Sequence, residues 1–325
     1  MKKKLAVSMI AFLFLFTTAV SVASAATVNY HPSLVHKTGA MAYEHTKYLS
    51  EEIGPRLMGT DGEAKAKEYV EQQFERMGYA TEVQPFSFVR KGASMDSANV
   101  VAYKQGKSDK QVIVGAHYDS VANIKGADDN ASGVGVMLEV AEVLSKVKTP
   151  YSIVFIAFGA EEGGLNGSNY YASQMSAEEI SSTVGMINLD SLAVGDKMYV
   201  HGSAGDAGFM REQALNIAAK KKLDIGINPG LNPDYPAGTT GDWSDHAPFN
   251  RLGIPYAYFE STNWEIGALD GYDQTEEHGG VWHTENDTIA FIETEYPGRI
   301  QERLSTYSQV LTELLKFMGK TSTSK

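Results

Sequence analysis

The sequence predicts an α/β fold: a single domain with a mostly parallel, mixed central β-sheet flanked by helices on both faces. Three observations predict it. Residues 111–116 (QVIVGA) and 152–158 (SIVFIAF) are near-continuous apolar runs, the mark of strands buried on both faces. Amphipathic helical stretches alternate with such runs, as in βαβ units. The 325 residues contain no cysteine, so stability must come from a large apolar core rather than from disulfides.

The elements follow in order. Met41, Tyr48, Leu49 and Ile53 fall at helical spacing with His45 on the same face, and Gly54-Pro55 ends the run. Thr60-x-x-Glu63 reads as a capping box opening a second helix with Tyr69, Val70, Phe74 and Met77 on one face and Gly78 as its stop. Residues 82–89 and 99–104 read as edge strands, the first carrying Pro85. Residues 132–147 form an amphipathic helix with a stripe of Val136, Val140, Val143, Leu144 and Val147. Residues 186–189, 198–200 and 254–259 read as further buried strands, and 206–221 and 295–318 as later helices. The stretches 224–245 and 261–282 are rich in Gly, Asn, Asp and Pro, and loops of that length in a compact domain are usually functional.

Composition bounds the function. Met1-Lys2-Lys3-Lys4, an apolar run over 5–20 and Ala23-Ser24-Ala25 form a secretory signal peptide, residues 1–25, leaving one domain over 26–325. A secreted, extracellular protein is expected, free of the membrane after cleavage. The formal net charge of −12, more negative once the three lysines are lost, argues against nucleic acid or anionic membrane as partner.

Ionisable groups track strand ends. His117 follows the first buried strand, Glu161 and Glu162 the second, and Asp190 ends a third, so all reach the edge where open α/β sheets bind ligands. Asp129, in the acidic loop Gly126–Gly133, and His283, in Trp-His-Thr, complete a set of five metal ligands: His117, Asp129, Glu162, Asp190 and His283. Singly, each reads as well as a cap or a loop residue. Together, two imidazoles and three carboxylates suit zinc, and the excess negative charge suits two ions bridged by Asp129. Glu161, beside a ligand, is placed as general base for an attacking water. Asp119, two residues beyond His117, is expected to hold the second imidazole nitrogen. Ser132-Gly-Val-Gly135 lacks the third glycine of a dinucleotide loop, which excludes that reading.

These segments resemble the M28 class of di-zinc aminopeptidases, of the secreted bacterial leucyl or broad-specificity type. The resemblance rests on His117-Tyr-Asp119, Asp128-Asp129-Asn130-Ala-Ser132-Gly133, Gly159-Ala-Glu161-Glu162, Asn188-Leu-Asp190, Ser244-Asp-His-Ala-Pro-Phe249 and Trp282-His283-Thr284. It implies one zinc on His117, Asp129 and Asp190, another on Asp129, Glu162 and His283, and Glu161 as base. It implies hydrolysis of the N-terminal bond of peptides or proteins with a free amine, held near Glu161 and Asp190, by a monomer. Some members carry tyrosine before the last histidine. Here that position is Trp282, whose indole N–H could donate instead. Trp282, Asp242 and His246 are taken as substrate-binding. Asp242, with Glu265, Asp270, Asp273, Glu276 and Glu277 in the loop 264–280, suggests an acidic rim that admits basic as well as apolar first residues. The alternatives are a one-zinc glutaminyl cyclase, a carboxypeptidase, for which Arg251 is the obvious carboxylate partner, and an inactive binding module.

Overall fold

In the two strands at the heart of the sheet, residues alternate between two apolar surroundings. In Gln111–His117 (β3), Val112, Val114 and Ala116 join one core while Ile113 joins another. In Ser152–Phe158 (β4), Ile153, Phe155 and Ala157 face the first and Val154, Ile156 and Phe158 the second. A period of two with both faces apolar requires a helical layer on each side. The computed structural model, which describes residues 37–319, has both layers.

The sheet has seven strands in the order β1-β2-β4-β3-β5-β7-β6. The other strands are Ala80–Arg90 (β1), Ala93–Lys104 (β2), Thr183–Leu189 (β5), Lys197–Gly202 (β6) and Tyr256–Thr262 (β7). The four central strands β4, β3, β5 and β7 run parallel, and β1, β2 and β6 join antiparallel. The helices are Ala40–Lys47 (α1), Asp61–Arg76 (α2), Gly133–Leu144 (α3), Asn166–Gln174 (α4), Ala177–Ser182 (α5), Phe209–Lys221 (α6), His246–Arg251 (α7), Ile289–Glu295 (α8) and Arg299–Phe317 (α9). The larger core packs α1, α2, α3, α6 and α9 on one face, and the smaller core packs α4 and α7 on the other.

Several expectations are corrected. The capping box at Thr60 does not form: its hydroxyl donates to the Leu57 carbonyl, and Glu63 accepts from Gly59 N–H and the Ser97 hydroxyl, both at 2.5 Å. A capping box does form at Ser176 and Glu179, opening α5. Only β1 is an edge strand on that side, because β2 pairs with both β1 and β4. The predicted stripe on α3 is wrong in one member. Val143 is 46 % exposed, whereas Val134, Met137, Leu138 and Ala141 are buried. α3 is packed almost all round, so a single stripe understates it. Buried Glu139 on this helix is explained by α1: its two oxygens accept the N–H groups of Gly39 and Ala42 at 2.7 and 2.8 Å, closing the open end of α1. The predicted C-terminal helix over 295–318 is α9, which begins at Arg299 after Gly298 at φ 84°, and a separate helix, α8, precedes it where none was predicted. The predicted signal peptide lies outside the described residues.

Two histidines are sealed in the body of the fold. His45 meets the Tyr69 hydroxyl at 2.7 Å, and His246 donates to the Gly241 carbonyl at 3.0 Å between the rings of Tyr256 and Tyr258. Burial pushes each imidazole down to about 3, against a usual 6.5. Their folded values lie below the unfolded one, so the unfolded chain takes up the protons first as pH falls. Stability is therefore full above pH 6.5 and declines from there down towards pH 3. Between pH 7 and pH 5 each histidine is expected to cost about 2 kcal/mol of unfolding free energy. Urea unfolding of the His45→Gln variant at both pH values checks this, since the acid loss should shrink by that amount.

Candidate active site

The carboxyl ends of the parallel strands bring the predicted groups together. His117 ends β3, the Glu161-Glu162 turn follows β4, and Asp190 follows β5. Asp129 comes from the loop ahead of α3, its peptide bond to Asn130 cis, and His283 arrives from the long loop after β7 with φ 58°. Asp129 joins the two imidazoles: Oδ1 lies 3.1 Å from His117 Nε2 and Oδ2 lies 3.1 Å from His283 Nε2. Asp190 Oδ1 is 3.4 Å from His117 Nε2, and Glu162 Oε2 is 3.0 Å from His283 Nε2. Two groups of potential ligand atoms result, His117 with Glu161 and Asp190, and Asp129 with Glu162 and His283.

Electrostatics explains the strain of this arrangement. Burial pushes the Glu161 carboxyl well above the usual range, against His117, with Asp245, Glu162 and Asp190 adding to the rise. Burial and Asp129 push Glu162 up to about 7. Burial also opposes ionisation of Asp129, but its bonds to His117 and His283 win and hold it below the usual range. The same bonds to Asp129 and Glu162 lift His283 to about 11. The carboxylates thus demand positive charge at the two imidazole nitrogens. Glu162 Oε1 is buried without a hydrogen-bond partner among the described residues. A donor set of this chemistry, with an acceptor to spare, fits divalent cations.

Asp119 does something other than expected. Its carboxylate sits 3.6 Å from His117 Nδ1, and the Asp119 carbonyl is closer to that nitrogen at 3.3 Å. The carboxylate oxygens instead accept the N–H groups of Glu161 at 2.9 Å and Glu162 at 3.2 Å. Asp119 therefore holds the glutamate turn in place more than it holds the imidazole. The neighbouring Asp128 turns its carboxylate away from the cluster to accept from Ala193 N–H, Val194 N–H and the Gln274 amide.

Sequence reasoning missed the supports. Asp287 accepts from Asp128 N–H at 2.6 Å and Asp129 N–H at 3.1 Å, fixing the acidic loop. Ser244 donates to Asp190 Oδ2 at 2.6 Å and itself accepts from Asn188. Arg56 is fully buried and donates to the carbonyls of Leu49, Gly54, Tyr118, Lys125 and Gly126. Burial lowers its guanidinium to about 10, while Asp287, Asp119, Asp129 and Glu162 pull the value back up, so it stays charged beneath the acidic loops. A lone arginine in Gly54-Pro-Arg56 gave no signal of this, because three of its five acceptors, the carbonyls of Tyr118, Lys125 and Gly126, lie more than sixty residues away.

A cavity of about 700 Å³ opens over the cluster, and Trp282, Asp242, Asp270, Tyr235, Trp243 and Tyr272 are among its walls. Trp282 and Asp242 are thus where expected. His246 is not: it is buried among tyrosines, so its role is packing. Of the acidic rim, Asp270 lines the cavity, whereas Glu265 pairs with Lys197 at 2.5 Å. Arg251 bonds to Asn169 on the surface, so it is not placed to receive a substrate carboxylate. A smaller hollow of about 370 Å³ lies beyond Glu162 and His283, walled by Leu57, Met58, Val121, Ile124 and Arg90.

A family model, peptidase family M28, matches residues 99–308. The chain belongs to peptidase family M28. As a member of that family it is a hydrolase, a metallo-aminopeptidase. It is 33 % identical over 319 residues to the alkaline phosphatase isozyme conversion protein of Escherichia coli (strain K12), covering 88 % of this chain and 92 % of that one. It is 35 % identical to aminopeptidase YwaD of Bacillus subtilis (strain 168) over 70 % of this chain, but spans only 47 % of that relative's length. In fold it is similar to a zinc aminopeptidase from Bacillus subtilis, with TM-score 0.71 at 22 % identity over 90 % of this chain and 97 % of that one. It is also similar to a glutaminyl cyclase of Porphyromonas gingivalis, with TM-score 0.66 at 20 % identity over 86 % of this chain and 98 % of that one. The M28 sheet is common to both, so the fold alone does not choose between them.

Two supports can be tested. Asp119→Ala should free the glutamate turn and weaken zinc binding by about 10- to 100-fold, read by titration against a competing chelator. Arg56→Met leaves buried carbonyls unpaired beneath like-charged loops. It should lower the unfolding free energy by about 3–5 kcal/mol in urea denaturation.

Proposed function

We propose that this M28 hydrolase is a secreted, two-zinc aminopeptidase that removes the first residue from peptides or proteins with a free N-terminus. The observation that carries this reading is Asp129, whose two oxygens each lie 3.1 Å from a different imidazole. A carboxylate so shared suits a bridging ligand between two sites, and the full set of five ligands favours two ions over the single ion of a cyclase. His117, Asp129 and Asp190 would hold one zinc, and Asp129, Glu162 and His283 the other. When bound, such ions polarise the scissile carbonyl and acidify the attacking water.

The protein's own groups do the rest. Glu161 takes the proton of the attacking water and returns it to the leaving amine, a role suited to a carboxyl raised by burial. Asp119, through two backbone N–H groups, keeps Glu161 and Glu162 on opposite tasks. The substrate α-amine lies against Glu161 and Asp190, which favours removal of one residue at a time. Trp282 on the cavity wall offers an indole N–H to the developing oxyanion. Export rests on the N-terminal signal-like segment, and a monomer needs no second copy to complete the site.

Release of the first residue from aminoacyl chromogenic substrates should require a free amine, vanish on chelation and return with zinc. Release from acetylated substrates, or from neither, would overturn the reading. Glu161→Gln should lower kcat by about 10²–10⁴ with zinc content unchanged. Loss of zinc in that variant would instead make Glu161 a ligand.

A further inference from the structure

The larger cavity and the smaller hollow meet at Glu162 and His283, which line both. They differ in charge. The larger one carries carboxylates and, among the described residues, no lysine or arginine. The hollow of about 370 Å³ is walled by apolar Leu57, Met58, Val121 and Ile124 and by one arginine, Arg90.

The hairpin of β1 and β2 aims Arg90 there. Phe86, Phe88 and Arg90 alternate along β1 and so share one face of the strand. Phe86 and Phe88 join an apolar cluster with Leu57, Met58 and Tyr170, so this face turns towards the body of the fold. Arg90 carries it to the end of the strand, where Lys91 and Gly92, at φ 49° and 81°, close a two-residue turn and fix the tip. Arg90 is half-buried, and its Nη1 donates to the Met58 sulfur at 2.8 Å, a weak acceptor. It makes no ion pair with a carboxylate among the described residues. A guanidinium held on an apolar wall, its planar fork of donors unclaimed by any carboxylate, is prepared to receive one.

We infer that the hollow is a leaving-side subsite in which Arg90 receives a carboxylate on the residue after the scissile bond. That carboxylate is either an acidic side chain or the C-terminal carboxylate of a dipeptide. The inference rests on the aminopeptidase reading of the adjacent cluster. In that reading the substrate α-amine lies against Glu161 and Asp190 in the larger cavity, so the chain beyond the scissile bond runs past Glu162 and His283 into the hollow. A peptide laid this way meets negative groups at its positive end and a positive group behind. The apolar walls keep water from the ion pair, which strengthens it. Without Arg90, the carboxylates of Asp129 and Glu162 would repel an incoming anion, so Arg90 decides whether it is admitted. Arg90 is a specificity determinant and takes no part in the bond-breaking step.

The test follows leucine release by the zinc-loaded enzyme from two matched pairs of peptides, read by chromatography. Leucyl-glycine against leucyl-glycinamide probes a C-terminal carboxylate. The α-amides of leucyl-glutamate and leucyl-glutamine probe an acidic side chain. In at least one pair kcat/KM should favour the carboxylate by about three- to tenfold, chiefly through KM, and the pair that responds identifies the source. Arg90→Gln should level or invert that ratio, and Arg90→Lys should keep part of it. Each ratio is taken within one enzyme, so a general loss of activity cancels. The ratio for the unaltered enzyme should also shrink as potassium chloride is raised, which decides the matter if Arg90→Gln fails to fold. Equal turnover within both pairs by the unaltered enzyme would overturn the inference, while the release of leucine keeps the aminopeptidase reading. A carboxylate preference unmoved by Arg90→Gln or by salt would also overturn it. Release of leucine from none of the four would overturn the aminopeptidase reading itself.

Discussion

One constraint organises this molecule: seven carboxylates, of Asp119, Asp128, Asp129, Glu161, Glu162, Asp190 and Asp287, are gathered at one end of an apolar sheet. Like charges removed from water repel strongly and must each be answered. The fold answers them in three ways. Backbone N–H groups are aimed at Asp119, Asp128 and Asp287. A buried guanidinium, Arg56, ties the surrounding loops together from below. The remainder, on Asp129, Glu161, Glu162 and Asp190, meets the two imidazoles and fits metal.

That division separates support from chemistry. The carboxylates answered by backbone are spent on geometry: Asp287 sets the loop that carries Asp129, and Asp119 sets the turn that carries Glu161 and Glu162. Those left facing the cavity are the ones available to bind and to move a proton. Residues of one chemical type thus take different roles according to whether a fixed dipole or a diffusing cation satisfies them.

Much of this was legible from residue order. The central strands appear almost to the residue, since a run such as QVIVGA can be buried only on both faces. All five proposed ligands, the neighbouring glutamate and Trp282 fall at the site, because strand ends point to one edge of a parallel sheet. What failed were readings of single side chains that found other partners in the folded chain. Thr60 lost its cap to the Leu57 carbonyl, Glu63 was taken by Ser97, and His246 disappeared into a stack of tyrosines.

The sequence by itself determined the α/β class, the strand ends that carry ionisable groups and the kinds of ligand they offer. Those follow from hydrophobic periodicity and residue chemistry, which are local. Only the tertiary structure decided which carboxylate each N–H group satisfies and that Arg56 lies beneath the acidic loops. Those outcomes depend on hydrogen bonds closed between segments tens of residues or more apart, such as Asp128 with Asp287, and no periodicity records which pairs will meet.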